Sequence, residues 1–503
     1  MMNSQQALFK PANLVLATIA ISLASFMQVL DTTIANVALP TIAGNLGVSS
    51  EQGTWVITSF AVCNAITLPL TGWLSRRVGE VKLFIGVVLL FVITSFLCGI
   101  ATSMTELIIF RCLQGAVAGP LYPIAQSLLL AIYPPAKRGM ALAILSIVTV
   151  VAPVAGPILG GWISYNYTWP WIFFINIPFG LFAAVFAYQQ MKAKPQTISR
   201  LPIDYIGLIS LVIGVGALQI VLDKGNDLDW FESNFIIFGS VIAVIGIAFF
   251  IIWELTDANP IVNLKLFINR NFSIGCFLLI CGYSGFFGIN LLLPQWLQTQ
   301  MGYTATWAGL AAAPIGFIPI LLTPFLGRYA HYFDMRLLAS LAFTAIGISC
   351  FMRAGFNTQV NYQHVALVQV FMGLGVALFF MPIMSIILSN IKQQQIAEAS
   401  GLAAFLRTLG GSFSASLTSW IWARNASLHH AYLSESITPY DPTTQYALNQ
   451  LGGHSVASYA KLENIVNTQA YMLSTIDYFN MLGIAFILLI IVAWLASPKQ
   501  KHF

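Results

Sequence analysis

Charge is scarce in this chain. Only 8% of its 503 residues are Asp, Glu, Lys or Arg, against about 25% in an ordinary soluble protein. A water-soluble globular fold is excluded on that ground. Cysteine is scarce too. Cys63, Cys98, Cys112, Cys276, Cys281 and Cys350 all fall inside apolar runs, so no disulfide framework is expected. They read as small packing residues. There is no Walker loop, no Cys/His cluster, no nucleophile elbow and no paired-carboxylate site, which disfavours an ATP-driven pump and an enzyme alike. His429 and His430 stand together without further ligands, so no metal site is expected. No cleavable leader is expected either. The first apolar stretch, 13–39, is too long for a signal core, has no small-residue cleavage site after it, and reads as a membrane helix.

Apolar runs are what the chain has in abundance. Hydrophobic residues make up 58% of it. Fourteen stretches are each long enough, at roughly 20 residues, to cross about 30 Å of hydrocarbon. The expected spans are 14–38, 54–74, 82–101, 107–131, 140–163, 171–190, 205–222, 235–254, 272–296, 305–326, 336–353, 364–389, 398–423 and 477–496. Sixteen of the 22 Lys and Arg residues fall in one alternate set of gaps. That set contains Lys10, Arg76, Arg77, Lys82, Lys137, Arg138, Lys192, Lys194, Arg200, Lys265, Arg270, Arg328, Arg336, Lys392, Lys499 and Lys501. The other set has only Lys224, Arg353, Arg424 and Lys461, while Arg111 and Arg407 lie within spans. The positive-inside rule then orients the chain with both ends in the cytoplasm. The net charge of +5 belongs to these loops and reads as orientation and anionic-lipid contact, not nucleic-acid binding.

Internal similarity divides the spans. Arg111–Gly115 in span 4 is echoed by Gln369–Gly373 in span 12, and Arg138–Ala141 opening span 5 by Ser400–Ala403 in span 13. Thr54-Trp55 and Thr306-Trp307 open spans 2 and 10. The expected plan is 6+2+6: an N-terminal bundle over 1–191, a linker with an inserted helix pair over 192–270, and a C-terminal bundle over 271–503. Such repeats are typical of secondary transporters, whose substrate path lies at the repeat interface. The long polar segment 424–475 falls on the outside face, and a loop of that length is usually functional or disordered.

Asp31 carries the sharpest chemical signal. It is the only carboxylate inside the first six spans, and helical spacing puts Gln28, Asp31 and Thr32 on one face. An acid in hydrocarbon is costly and should face the bundle interior or water. Burial favours the neutral form of such a group, so reversible protonation is expected there. The bland alternative is a carboxylate that pairs with a neighbouring helix and never titrates. Arg111 in span 4, with Gln114 one turn on, is the basic counterpart, and Arg407 in span 13 has a similar claim. An arginine stays protonated and acts as a fixed charge near a proton path; its bland reading is a structural ion pair or a snorkelling side chain. In span 5, Gly156 and Gly160 form a small-residue face for close helix approach, with Gly161 beside it, while Pro153 and Pro157 bend the span. This reads as tight packing, as a pivot, or as both.

Taken together these motifs resemble the major facilitator superfamily, and within it the fourteen-span drug:proton antiporters. Leu30 to Pro40 resembles the first-span motif, Arg111 to Gly119 the span-4 motif with its membrane arginine, and Gly156 to Gly161 the antiporter motif. The resemblance covers nearly the whole chain. It implies an all-α major facilitator fold in a bacterial inner membrane, with no cofactor beyond the proton motive force. It also implies export of hydrophobic drugs and uncouplers, a periplasmic adaptor of the EmrA type and an outer-membrane channel of the TolC type. One departure stands out in loop 2–3. Arg76 occupies the position of the family's usual Asp, and Glu80 a usual Arg position, so the usual latch does not carry over unchanged.

The preferred reading is therefore a proton-coupled multidrug exporter. Its cavity would be lined by Gln28, Asn36, Asn64, Gln114, Tyr283, Asn290, Gln295 and Phe405, because a large apolar cavity with scattered polar groups tolerates many amphipathic molecules. Asp31, Arg111 and Arg407 are the expected proton-coupling residues, and Pro153, Gly156, Pro157, Gly160 and Gly161 the conformational motif. The alternative is a narrow exporter of a metabolite, siderophore or fatty acid. A scaffold that transports nothing has no need of membrane-embedded charge, and no filter-like repeat supports a channel.

Overall fold

A computed structural model describes residues 9, 11–195, 198, 203–329, 332–435, 437–438 and 440–497 of the chain. Among the described residues every regular element is helical. Four of the expected inside charges, Lys10, Arg200, Lys499 and Lys501, lie outside the described residues.

Spans 1 to 8 are Leu14–Asn45, the pair Trp55–Thr67 and Thr71–Val78, Glu80–Gly99, Met104–Ile132, Arg138–Asn166, Trp171–Met191, Tyr205–Lys224 and Asn234–Thr256. Spans 9 to 14 are Arg270–Thr299, Thr306–Tyr329, Met335–Ala354, Tyr362–Leu388, Ile396–Glu435 and Val456–Trp494. Twelve of these are long and apolar enough to cross a bilayer as single helices. Span 2 is a thirteenth candidate, bent by 62° between its two halves. Span 13, the fourteenth expected, is long enough but falls short of that apolarity. Its membrane part carries Arg407, Glu398 and many Gly, Ser and Thr residues, which makes it less apolar than the rest. Its first part, Ile396 to Phe405, is buried without interruption, while Phe413, Leu417 and Trp420 farther along are exposed.

Polar caps set many of the helix starts. Asn13, Ser103, Asp204, Asp334, Asn361 and Ser455 each accept a hydrogen bond from a backbone N–H of the first turn that follows. Once started, a helix satisfies its own backbone, which hydrocarbon requires.

Packing falls into two sets. Span 1 lies against spans 5 and 6, and span 2 against span 4. In the second half, span 11 lies against spans 12 and 14, and span 9 against span 13. The echo between the halves is geometric as well. A Cβ on Gly115 would overlap the carbonyl of Phe60 in span 2, and one on Gly373 would lie 2.6 Å from the carbonyl of Ile315 in span 10. Spans 7 and 8 pair with each other, and span 7 touches both sets. Asp223 accepts from Thr58 of span 2, and Lys224 Nζ donates to Thr54 Oγ1 at 2.7 Å. Just beyond, Asn226 donates to the Ser416 carbonyl of span 13 at 3.0 Å.

The outer segment 424–475 differs from the loop expected. Span 13 runs on as one 40-residue helix to Glu435, and span 14 begins at Val456 and runs 39 residues. At 1.5 Å per residue each is close to 60 Å long, about twice the hydrocarbon thickness. The excess forms a two-helix arm. His429 pairs with Asp477 at 2.7 Å and His430 with Glu463 at 2.8 Å, tying the two helices together. A short helix, Pro442–Gln450, closes the tip, and Asp441 caps it. The backbone N–H of Thr444 beside Asp441 holds that carboxyl below the usual carboxylate range.

Candidate functional site

Span 1 is apolar on nearly every face, so Asp31 is conspicuous within it, and it is completely buried. Its carboxylate accepts from three side chains on two neighbouring spans. Arg111 Nη1 donates to Oδ2 at 2.6 Å, while Gln114 Nε2 and Asn176 Nδ2 donate to Oδ1 at 3.2 and 2.7 Å. Arg111 is held in turn. Its Nε donates to the Val56 carbonyl at 3.1 Å, its Nη1 also reaches Gln114 Oε1 at 2.7 Å, and its guanidinium lies 4.2 Å from the Phe60 ring centre. Asn176 donates to Ser95 Oγ at 3.0 Å, and Ser95 donates to the Phe173 carbonyl at 2.9 Å. Cys98 Sγ donates to Gln114 Oε1 at 3.4 Å. The network thus joins spans 1, 2, 3, 4 and 6 around one carboxylate. Every member is hydrogen-bonded, as a buried ion pair requires if it is not to be a net cost.

The glycine motif of span 5 packs directly beside it. A Cβ on Gly156 would overlap Thr33 Oγ1, and one on Gly160 would lie 2.7 Å from the Ile34 carbonyl. Thr33 and Ile34 are two and three residues beyond Asp31, so the backbones of spans 1 and 5 touch where the carboxylate sits. Pro153 and Gly161 are half-buried on the same helix, and the side chain of Pro157 lies outside the described residues.

The other expected residues are more dispersed. Gln28 is buried one turn before Asp31, while Asn36 is exposed. Asn64 is buried on span 2, with its Oδ1 unpartnered within the protein. Asn290 donates to the Phe286 carbonyl of its own helix at 2.7 Å, and Gln295 is half-buried farther along span 9. Phe405 is buried on span 13. Arg407 does not join Asp31. Its guanidinium stands over the rings of Tyr122 and Tyr283, 5.0 and 5.6 Å from their centres. Asn176, Ser95, Cys98 and the Val56 carbonyl were not anticipated from the sequence. The signal for Asn176 was present, since an amide inside an apolar run normally has a partner.

The Lys/Arg-rich end of the molecule is closed. Arg76 of span 2 pairs with Glu398 of span 13 at 2.8 Å, and Arg138 of span 5 donates to Gln393 just before span 13 at 2.8 Å. A Cβ on Gly72 would lie 2.6 Å from Glu398 Cβ. The exchanged charges of loop 2–3 therefore have reversed partners: Arg76 finds an acid in the second half, and Glu80 accepts from Lys194 and from Ser127.

Residues 21–415 match the sequence model of the Major Facilitator Superfamily. The chain belongs to that superfamily. As a member it is a multi-pass membrane transporter and not an enzyme. It is 50% identical to the multidrug export protein EmrB of Escherichia coli (strain K12) over 98% of this chain and 97% of that one. The fatty acid resistance protein FarB of Neisseria gonorrhoeae is 47% identical, over 97% of each chain. Among solved structures, the human organic anion transporter MFSD10 (TETRAN) superposes with a TM-score of 0.61 at 13% identity, over 95% of this chain and 99% of that one. The superfamily fold thus holds although few residues are shared with that structure.

Proposed function

We propose that this chain is a proton-coupled multidrug exporter of the bacterial inner membrane, driving hydrophobic and amphipathic compounds outward by alternating access. The observation that carries the reading is the buried Asp31–Arg111 pair set against the Gly156–Gly160 face. A proton arriving at Asp31 neutralises the carboxylate and leaves the Arg111 charge uncompensated in a low-dielectric site. That state is costly until helices shift or the proton leaves. The shift is available because at Gly156 and Gly160 span 5 meets span 1 with no side chain of its own between the two backbones. Closure of the Lys/Arg-rich end through Arg76–Glu398 fits an outward-directed state, with that end taken as cytoplasmic by the positive-inside rule.

One proton entering down 100 mV supplies about 2.3 kcal/mol, enough for roughly a fifty-fold gradient of a neutral substrate. The test is flux of a fluorescent hydrophobic cation in proteoliposomes with and without an imposed pH gradient. Gradient-dependent export is the expected result. Equal flux in both conditions would sink the proposal.

The two-helix arm is the proposed docking surface for a periplasmic adaptor of the EmrA type, itself joined to an outer-membrane channel of the TolC type. A narrower reading, export of fatty acids, is favoured by the similarity to FarB. A substrate panel separates the two.

A further inference from the structure

Span 7 is fastened to the two halves in different ways. Thr54, Thr58, Val62 and Ile66 recur at every fourth residue of span 2 and so share one face of it. Span 7 lies along that face. At its last turn Asp223 accepts from Thr58, while Lys224 Nζ donates to Thr54 Oγ1 at 2.7 Å and stands 5.7 Å from the Trp55 ring centre. Two turns back, a Cβ on Gly216 would lie 3.8 Å from Ile66 and 3.9 Å from Val62, an ordinary packing distance. Among the described residues, the side-chain hydrogen bonds between spans 7 and 13 all involve Ser416. Its Oγ donates to the Leu222 carbonyl, one of the last-turn carbonyls that a helix leaves unpaired. Asn226 Nδ2 donates back to the Ser416 carbonyl at 3.0 Å.

The two attachments differ in strength. Those to span 2 involve a carboxylate and an ammonium, and hydrogen bonds with a charged partner are roughly twice as strong as neutral ones. Those at Ser416 are neutral on both sides. Their place matters as well. Spans 2 and 13 also meet directly through Arg76 and Glu398. Ser416 lies roughly 27 Å along span 13 from Glu398 at 1.5 Å per residue, close to the ~30 Å thickness of hydrocarbon. The same two spans are therefore bridged at both ends, by an ion pair at the Lys/Arg-rich end and through span 7 at the other.

We infer that span 7 closes this second end: it travels with span 2, and its clip on Ser416 opens in each transport cycle. Alternating access rocks one repeat against the other. For the far end to part, span 7 must let go of one side, and the neutral attachment is the weaker. Asn226 and Ser416 are thereby positioning residues for transport. The inference rests on the exporter reading above and gives the inserted pair a part in it.

The test uses full-length protein in proteoliposomes with two introduced cysteine pairs. Val62→Cys with Gly216→Cys joins span 7 to span 2, and Asn226→Cys with Ser416→Cys joins it to span 13. Each pair is oxidised and then reduced, with the natural chain treated alike, and the readout is gradient-driven flux of a fluorescent hydrophobic cation. Closing the span 13 pair is expected to lower flux about tenfold or more, reversibly, and closing the span 2 pair to leave it within about twofold, because only the first forbids the rocking. Flux that survives the span 13 lock would overturn the inference, as would flux lost on locking span 7 to span 2. A second measurement serves if either pair fails to fold or to close. Position 416 is 2% exposed, so Ser416→Cys alone should react with a maleimide several-fold faster during turnover than at rest, read by mass spectrometry. Equal rates would likewise overturn the inference. Failure of the exporter reading shows separately, as absence of gradient-driven flux in the natural chain.

Discussion

Asp31 and Arg111 form an ion pair that hydrocarbon tolerates only because both partners are fully hydrogen-bonded. Removing one partner leaves the other charge stranded, so Arg111→Leu is expected to cost about 3–5 kcal/mol of stability. Thermal unfolding in detergent measures it, and a second change, Asp31→Asn, should recover much of the loss because the stranded charge is then gone. No recovery would mean that Arg111 acts mainly through its contacts with Val56 and Phe60. Asp31 and Arg111 were legible in the sequence because ionisable groups inside apolar runs are rare and expensive, and Gln114 stood out only by its place one turn after Arg111. Asn176 and Ser95 were not, because an amide or hydroxyl in a span costs far less. Asn176 also reaches Asp31 across 145 residues of sequence, and Ser95 joins only through Asn176; local pattern does not report such contacts. Arg407 was legible as a membrane charge but not as one without an acidic partner.

Two element pairs set the mechanics. Spans 1 and 5 meet through Gly160, whose missing side chain leaves room for the Ile34 carbonyl. Gly160→Leu should abolish gradient-driven flux while protein of normal monodispersity is still recovered; flux within twofold of the natural chain would contradict a sliding contact. Spans 2 and 13 meet through Arg76 and Glu398, a latch with its charges exchanged relative to the superfamily's usual pattern. Arg76→Glu alone places two acids together and should open the Lys/Arg-rich end, raising labelling of a cysteine introduced at Ala404. The double change Arg76→Glu with Glu398→Arg should return labelling to the natural level. Equal labelling in all three would show that the pair holds nothing shut. Helix positions were legible because about twenty apolar residues between charged gaps leave little choice. The arm was not legible as helix. Its residues are polar, and polar sequence on the water side reads as loop until the His429–Asp477 and His430–Glu463 pairings bring its two helices together.

At the scale of the whole molecule, two sets of packed spans are linked through span 7, which touches both, and a two-helix arm stands off one face. One of the three short sequence echoes has a geometric counterpart, since the glycines at 115 and 373 occupy matching backbone contacts. The attachment of span 7 to both sets was not legible, since contacts such as Asn226 with Ser416 link distant parts of the chain. Deleting 428–472 with a short linker in its place should leave transport in proteoliposomes intact yet abolish drug resistance in cells; preserved resistance would contradict the docking role of the arm. The most direct test of the central claim is proton movement itself. Proteoliposomes carrying an internal pH probe are given a hydrophobic substrate, and the natural chain is compared with Asp31→Asn. The account predicts substrate-dependent proton flux in the natural chain and none in the variant, with substrate binding retained in both. Proton flux of equal size in the variant would place the coupling site elsewhere and contradict the account.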